Sequence, residues 1–218
     1  MAHREDFPAC RAAALAVFPV CRAFPARKSE GPGVSGFLTP SPDIETERLR
    51  LRGWRESDFE TIAAIYADPD TAAYIGGVQD RRQSWRIFAA MLGHQSLRGY
   101  TFYAVERKDT GETIGWCGPW YPEGRPEPEI GYSLLKAHQG HGFALEAVTA
   151  AVRDSYDRLG WETAISAIAE DNAASQKIAK QAGATWNGET FSLMPGHTGQ
   201  IWRHLSPAQF RERFNVAA

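Results

Sequence analysis

The sequence contains little that would place the protein outside the ordinary globular class. Only three of its 218 residues are cysteines (Cys10, Cys21 and Cys117), and none forms a CxxC pair. This small, odd number argues against a disulfide framework and predicts a reducing, cytoplasmic setting. No apolar run approaches the ~20 residues that span a bilayer, so no membrane association is expected.

An excess of charge of one sign is also missing. The chain has 24 basic and 26 acidic residues, a formal net charge of −2, which favours neither nucleic acid nor a membrane surface as a partner. His138 and His141 lie three residues apart without a third ligand nearby, so no metal site is expected. The phosphate-binding patterns GxGxxG and GK[ST] are not found. The remaining composition, 43% apolar and 23% charged, is that of a globular domain with a real core.

Residues 1–43 differ in composition from the rest and are rich in Ala, Pro, Arg and Gly. They predict an N-terminal arm or linker, partly disordered, before a single domain at residues 44–218. Within the arm, Ala12–Val20 has the length of a signal-peptide apolar region. However, Glu5 and Asp6 precede it and no clean cleavage site follows, so a loosely attached arm is the competing interpretation.

Regular patterns begin at residue 44. They predict a half-exposed strand at Glu47–Arg52, a helix opened by a Ser57–Glu60 capping box and a second helix capped by Asp80. Strands are predicted at Tyr100–Arg107, Glu112–Cys117 and Glu129–Leu135, with an irregular loop at Pro119–Pro128. A long helix at Gly142–Leu159, a strand at Thr163–Ala169, a helix at Ala173–Ala182, late strands near Phe191 and Ile201–His204, and a terminal helix capped by Ser206 follow. Trp85 and Trp161 are expected in the core. This order predicts an α+β fold, a mostly antiparallel mixed sheet with helices on both faces.

Residues 129–146 run from a strand through a polar loop into a helix. Gly140 and Gly142 lie at the junction, where the first N–H groups of a helix have no partner in the helix and attract an anion. Glycine lets the backbone approach a diphosphate without a Cβ clash, and Ala144 is small for the same reason. A simple glycine-containing loop between strand and helix is the alternative interpretation.

Several blocks of this sequence, in this order along the chain, resemble the GCN5-related N-acetyltransferases (GNAT family). The Gln139-x-x-Gly142-x-Ala144 stretch is similar to the family's Q/R-x-x-G-x-G/A signature. Three further blocks resemble the subgroup that acetylates ribosomal-protein N-termini: Thr46–Arg52, Glu129–Tyr132, and Asp171–Ser175 with Gln181–Ala184. The resemblance covers roughly residues 44–205. It implies the GNAT fold, in which a central sheet is splayed at a cofactor cleft, and acetyl-CoA as the co-substrate.

The resemblance also implies a cofactor site. The residues implied to pair with the pantetheine arm through their backbone are Tyr132, Ser133 and Leu134. Those implied to hold the diphosphate are Gln139, Gly140, His141, Gly142, Phe143 and Ala144. Asn172 is implied to hydrogen-bond the pantetheine region, and as a residue type it also suits the N-cap of the following helix.

The reaction implied is direct attack of an amine on the thioester. An ammonium must lose a proton first, and Glu129, directly or through a water, is the favoured base. Glu127, two residues earlier, is a second candidate. Ser175 matches the serine that the ribosomal-protein subgroup is thought to use as an acid. Ala179 occupies the position where many family members carry a tyrosine, and some members work without a dedicated acid.

The acceptor side is less readable. Tyr74, Trp116 and Trp120 fall in segments expected to flank the substrate cleft, where an aromatic ring can bind a cation or an apolar group. The acceptor could be a protein N-terminus or a small amine such as an amino acid, a polyamine or an aminoglycoside-type compound. A non-catalytic module that binds CoA or a partner is the alternative from another class. A monomer or a homodimer is expected.

Overall fold

The computed structural model describes residues 41–194 and 197–215, so the first 40 residues of the predicted arm lie outside it. The described strands are β1 (Ile44–Glu45), β2 (Leu49–Arg52), β3 (Tyr103–Arg107), β4 (Thr113–Trp120), β5 (Glu129–Leu134), β6 (Ile165–Ala169), β7 (Thr185–Met194) and β8 (His197–Arg203). The described α-helices are α1 (Phe59–Ala67), α2 (Pro69–Ala72), α3 (Arg81–Arg98), α4 (Phe143–Asp157), α5 (Ala173–Gln181) and α6 (Pro207–Phe214).

All eight strands belong to one sheet, in the order β1-β2-β3-β4-β5-β6-β8-β7. Every neighbouring pair is antiparallel except β5 and β6, which run parallel. This arrangement confirms the predicted α+β fold. None of the helices in the described ranges is both long and apolar enough to cross a membrane.

Helices cover both faces of the sheet. Successive residues of a strand point in opposite directions, so each strand contributes side chains to both faces. On β4, Trp116 packs into the cluster formed by α1 and α3, whereas Cys117 packs into the larger cluster that contains α4 and α6. We refer to these as the α3 face and the α4 face of the sheet. The helix α4 buries Ala147, Val148 and Ala151 against the strands, as its apolar periodicity predicts.

The entry to α1 differs from the prediction. The capping box at Ser57–Glu60 is wrong: a 3₁₀ turn at Glu56–Asp58 precedes the helix, and the Arg55 N–H donates to the Asp58 carboxylate at 2.7 Å. Glu60 instead pairs with Arg81. The other caps are confirmed, since Asp80 accepts from the Gln83 N–H and Ser206 accepts from the Gln209 N–H.

The alternation of charged and apolar residues predicts a half-exposed strand at Glu47–Arg52, but Arg52 is buried. Its guanidinium forms two hydrogen bonds to Asp58 at 2.8 and 2.9 Å and one to Glu106 at 2.6 Å. Thr113 completes this cluster, which joins β2, β3, β4 and the start of α1. Alternation of residue types cannot distinguish a solvated arginine from one whose charge is neutralised by buried carboxylates.

Two further expectations are corrected. The strand β4 continues through Pro119 to Trp120, so the irregular loop is shorter than predicted. Trp85 is not a core residue, since 46% of it is exposed, although its ring packs edge-on against Phe59 with centroids 5.0 Å apart. Trp161 is half-buried beside the main cluster.

Candidate active site

The site begins where β5 and β6 separate. Within the described residues these strands share one register pair, Glu129 with Ile165, and the Ser166 hydroxyl donates to the Ile130 carbonyl at 2.8 Å. Beyond that point β5 pairs with β4 alone. Alternate residues of β5 therefore direct their N–H and C=O groups into a gap. An extended ligand can pair with such groups in the manner of an added strand.

A groove of about 880 Å³ runs through this gap and is lined from both faces of the sheet. The predicted site residues that line it are Tyr74, Trp116, Trp120, Glu129, Tyr132, Ser133, Leu134, Gln139, Gly140, Gly142, Ala144, Asn172 and Ser175. Two predicted residues, His141 and Phe143, are not among the lining residues. Residues of β4, β5, α4 and α5 and of the segments that precede α3, α4 and α5 thus converge on one cavity.

The loop between β5 and α4 forms the α4-face end of the groove. Gly140 and Gly142 have φ values of +79° and +81°, a region that favours glycine. Gly142 is the N-cap of α4 and supplies no capping side chain. The N–H groups of the first helical turn thus have no acceptor inside the helix and point toward the loop. Such a terminus suits an anion.

Arg48, the residue before β2, braces this loop. Its Nη1 donates to the His141 carbonyl at 2.9 Å, and its Nε donates to Glu146 at 2.7 Å. The guanidinium also lies over the Phe143 ring, 4.6 Å from the centroid. Burial raises the pKa of Glu146, but hydrogen bonds from Thr46 and Arg48 outweigh burial and hold that pKa below its usual value. Glu146 is therefore a charged anchor for the loop.

The individual loop residues contribute in different ways. The Gln139 side chain donates to the Leu134 carbonyl at 2.9 Å, and its backbone N–H is engaged with Lys136 at 3.2 Å. Gln139 thus positions the loop. The His141 side chain is exposed, and that of Phe143 is buried in the main core. Neither His141 nor Phe143 therefore contributes to the lining of the groove.

Asn172 is the N-cap of α5, as its residue type suggests. Its side-chain oxygen accepts from the Ser175 N–H at 3.0 Å. Asn172 also lines the groove, and the cap does not use its amide nitrogen. Capping and ligand contact are therefore compatible, because they use different atoms of the side chain.

Tyr132 and Ser175 meet on the α4 face. Burial raises the pKa of the Tyr132 phenol to about 12, and the nearby Ser175 hydroxyl acts in the opposite direction. The phenol oxygen itself is buried and forms no hydrogen bond to the described residues. The hydroxyl is therefore protonated at neutral pH. Both side chains line the groove, so this face offers a protonated phenol and a serine hydroxyl side by side.

Glu129 lies on the α3 face of β5, at the point where the gap opens. Burial raises the pKa of its carboxyl, while the Arg125 charge and the Ala167 N–H lower it. The Nε of Arg125 lies 3.4 Å from Oε2 of Glu129. Within residues 41–194 and 197–215, neither Oε2 of Glu129 nor the buried Nη1 of Arg125 has a hydrogen-bond partner. A buried carboxylate with a raised pKa suits a general base.

Glu127, the second candidate for the base, lies elsewhere. It is not among the residues that line the groove, and its carboxylate accepts from Arg203 at 2.7 Å. The two carboxylates therefore do not share one side of a regular strand, since β5 begins only at Glu129.

Aromatic side chains form the α3-face wall of the groove. Trp116 stacks on Tyr66 with centroids 5.7 Å apart, and Trp120 stacks on Phe102 at 4.8 Å. We call Tyr66, Tyr74, Phe102, Trp116 and Trp120 together the aromatic wall. Gly131 leaves room for it, because a Cβ there would lie 3.0 Å from the Phe102 ring. The wall is suited to an apolar group or a cation.

Sequence reasoning missed three features of the site: the brace formed by Arg48, the phenol of Tyr132 as a polar group, and Arg125. Tyr132 had been noted only for its backbone. Arg48 lay inside a quoted block, and Arg125 lay in a proline-rich loop. The contacts of Arg48 and Tyr132 join segments far apart in sequence. Arg125 lies only four residues before Glu129, but it belongs to a loop without a regular pattern.

Comparison with known proteins agrees with this geometry. The family model described as an acetyltransferase (GNAT) domain matches residues 48–185. An uncharacterized N-acetyltransferase of Bacillus subtilis, YoaA, is 30% identical over 143 residues, which cover 63% of this chain and 79% of YoaA. The N-acetyltransferase p20 of Bacillus licheniformis, also uncharacterized, is 31% identical over 139 residues, covering 62% and 78% of the two chains.

Solved structures show the same fold. An acetyltransferase from Agrobacterium tumefaciens superposes with a TM-score of 0.69 at 27% identity, over 77% of this chain and 96% of the other. A ribosomal L7/L12 N-terminal acetyltransferase solved in complex with coenzyme A superposes with a TM-score of 0.63 at 18% identity, over 77% and 99%. At that lower identity the likeness shows the fold alone.

Proposed function

The chain belongs to the GNAT acetyltransferase family, and from this premise we propose that it is an acetyl-CoA-dependent N-acetyltransferase acting on a primary amine. One observation carries the proposal: a glycine-formed helix terminus and a buried carboxylate lie on opposite faces of the same gap in the sheet. Donor and acceptor can therefore enter from opposite sides and meet between β5 and β6.

The residues present fit the acyl donor. The first-turn N–H groups of α4, with Gly140 and Gly142 lacking side chains, suit a diphosphate. The unpaired backbone groups of Tyr132–Leu134 suit the amides of an extended pantetheine arm. When bound, acetyl-CoA supplies an acetyl group activated as a thioester.

On the acceptor face, Glu129 takes the proton that the amine must lose. The nitrogen lone pair is then free to form a bond to the acetyl carbon, while the bond from that carbon to sulfur breaks. Burial keeps the Glu129 carboxyl poorly solvated, which raises its affinity for a proton and suits it to this role.

On the donor face, Tyr132 and Ser175 supply hydroxyl groups to the leaving sulfur. Beside Ser175, the Tyr132 phenol stays protonated at neutral pH, because burial raises its pKa to about 12. Since an ordinary thiol has a pKa near 8.5, its thiolate leaves with modest help, so these hydroxyls contribute less than the base does.

The proposal also covers the acceptor and the cellular setting. Two acceptor classes are compatible with the family: a protein N-terminus, which the subgroup resemblance of Thr46–Arg52 and Asp171–Ser175 suggests, and small amines such as free amino acids, which the opposite charges at Glu129 and Arg125 favour. The predicted cytoplasmic setting rests on the low cysteine number, and a monomer or homodimer stays a prediction.

Calorimetric titration with acetyl-CoA, followed by thiol release with a panel of amines, tests the proposed function. Saturable binding with amine-dependent thiol release is the expected result. Binding without thiol release for any amine would favour the non-catalytic CoA-binding module. Absence of acetyl-CoA binding would overturn the assignment of the α4 terminus.

A further inference from the structure

The acceptor face of the groove carries charges of both signs beside an apolar wall. Glu129 and Arg125 lie 3.4 Å apart at the mouth of the gap. The aromatic wall continues from them along β4, whose Trp120 pairs with Glu129 in register. An acceptor bound here meets an anion, a cation and aromatic rings together.

Arg125 keeps donors to spare beyond its contact with Glu129. That contact uses Nε, and Nη1 is buried without a hydrogen-bond partner among the described residues. The guanidinium is also held in place by the Phe191 ring, 5.6 Å from its centre. A buried guanidinium nitrogen without an acceptor is costly, and a carboxylate is the group that its fork of donors fits.

Few carboxylates line the groove. Among the described lining residues only Asp70 and Glu129 are acidic, and Asp70 is paired with Lys136. A polyamine or an aminoglycoside carries several positive charges that need anionic partners when they leave water. Glu129 alone is available on this face, and Arg125 beside it repels a second cation.

We propose that the acceptor is a free α-amino acid with an apolar side chain, bound with its ammonium at Glu129, its carboxylate at Arg125 and its side chain against the aromatic wall. This rests on the proposed function. In an α-amino acid both charged groups are attached to one carbon, which matches the close approach of Glu129 and Arg125. A peptide N-terminus has the ammonium but replaces the carboxylate by a neutral amide, and it leaves Arg125 without an anion.

The test compares acceptors that differ in one group. Thiol release from acetyl-CoA is measured with L-phenylalanine, L-leucine, L-phenylalaninamide and spermidine. The two free acids are expected to exceed the amide and spermidine in kcat/KM by about 10-fold or more, because the amide loses a charged hydrogen bond. The amino group of L-phenylalaninamide is less basic than that of L-phenylalanine, so a larger fraction of it is unprotonated at neutral pH. The availability of free amine alone would therefore favour the amide over the acid.

Variants locate the preference. Arg125→Gln is expected to reduce the ratio between L-phenylalanine and its amide to near one, with unchanged acetyl-CoA affinity, and Arg125→Lys is expected to retain part of it. The ratio cancels any general effect of the substitution on Glu129. Arg98→Gln is the matched control, since Arg98 contacts Glu123 of the same loop at 3.9 Å but does not line the groove.

Equal turnover of acid and amide by the wild-type protein would overturn this inference, as would a ratio that Arg125→Gln leaves unchanged. In both cases amines would still be acetylated and the proposed function would stand. If no amine, including these four, gives thiol release while acetyl-CoA binds, the failure lies with the proposed function itself.

Discussion

The two faces of the groove are built from different materials. The α4 face is mostly main chain: glycines at positive φ, a helix terminus and a strand that pairs with its second neighbour at one position only. The α3 face is mostly side chains, namely the aromatic wall, Glu129 and Arg125. A surface made of backbone depends on the fold and binds one type of ligand, whereas a surface made of side chains can change with each substitution. The donor is therefore fixed by the family, and the acceptor by this particular chain.

The largest effect is expected from blocking the backbone surface that binds acetyl-CoA. Gly142→Glu places a side chain and a negative charge at the α4 terminus, so acetyl-CoA affinity should fall about 100-fold or more, because several charge-assisted hydrogen bonds are lost. Calorimetric titration measures this loss. Gly160→Glu is a matched control, since Gly160 also has a positive φ of +68° but lies beyond α4. Unchanged affinity in Gly142→Glu would contradict the donor site.

Glu129→Gln tests the side-chain surface without touching the donor. We expect kcat/KM to fall about 100-fold at neutral pH, with a smaller loss at high pH, where amines lose their proton unaided. A base works when deprotonated, so wild-type activity should decline as pH falls through the raised pKa of Glu129, and this decline should disappear in the variant. A loss that is the same at every pH would indicate a structural role.

The same substitution should not lower stability. Because burial raises the folded-state pKa of Glu129, folding favours its protonated form, and the ionised form costs stability as pH rises above the unfolded-state pKa. Glutamine resembles the protonated form. The midpoint of thermal unfolding at neutral pH is therefore expected to be unchanged or higher, which differential scanning calorimetry can check against the activity loss.

Arg48→Met tests whether the contacts of Arg48 support the loop that binds the acyl donor. Losing the brace on the His141 carbonyl and Glu146 should raise KM for acetyl-CoA about fivefold, roughly 1 kcal/mol, with kcat and the acceptor KM unchanged. Arg50→Met is the control: Arg50 pairs with Glu45 at 2.6 Å and is similarly exposed. If both variants behave alike in steady-state kinetics, Arg48 has no special relation to the loop.

The smallest effect is expected at the hydroxyl pair. Ser175→Ala and Tyr132→Phe should each lower kcat about threefold, because a thiolate with an ordinary pKa near 8.5 is already a good leaving group. Steady-state kinetics at saturating acetyl-CoA measures this. A loss as large as that of Glu129→Gln would mean that departure of sulfur, and not the proton on the amine, limits the reaction.

The sequence predicted the donor surface far better than the acceptor surface, for a physical reason. Gly140 and Gly142 allow the positive φ of the loop, and Asn172 caps α5. Because these requirements are met by single residue types at fixed positions, they can be recognised in the sequence. Arg48 acts across the fold, and Arg125 reaches Glu129, four residues later, from an irregular loop. No regular spacing therefore reveals either residue. The same limit explains Arg52, whose partners Asp58 and Glu106 were not identifiable before the strands were aligned, and the mistaken capping box at Ser57.

The single register pair between β5 and β6 has a consequence for stability. A ligand that pairs with the open side of β5 acts as a ninth strand. The stability of the contact between β5 and β6 then depends on the concentration of the acyl donor. By mass action, a ligand at 100 times its Kd adds about 2.7 kcal/mol to the free energy of unfolding. Amide hydrogens near the gap should then exchange with solvent at a rate that reports the cell's supply of acyl donor.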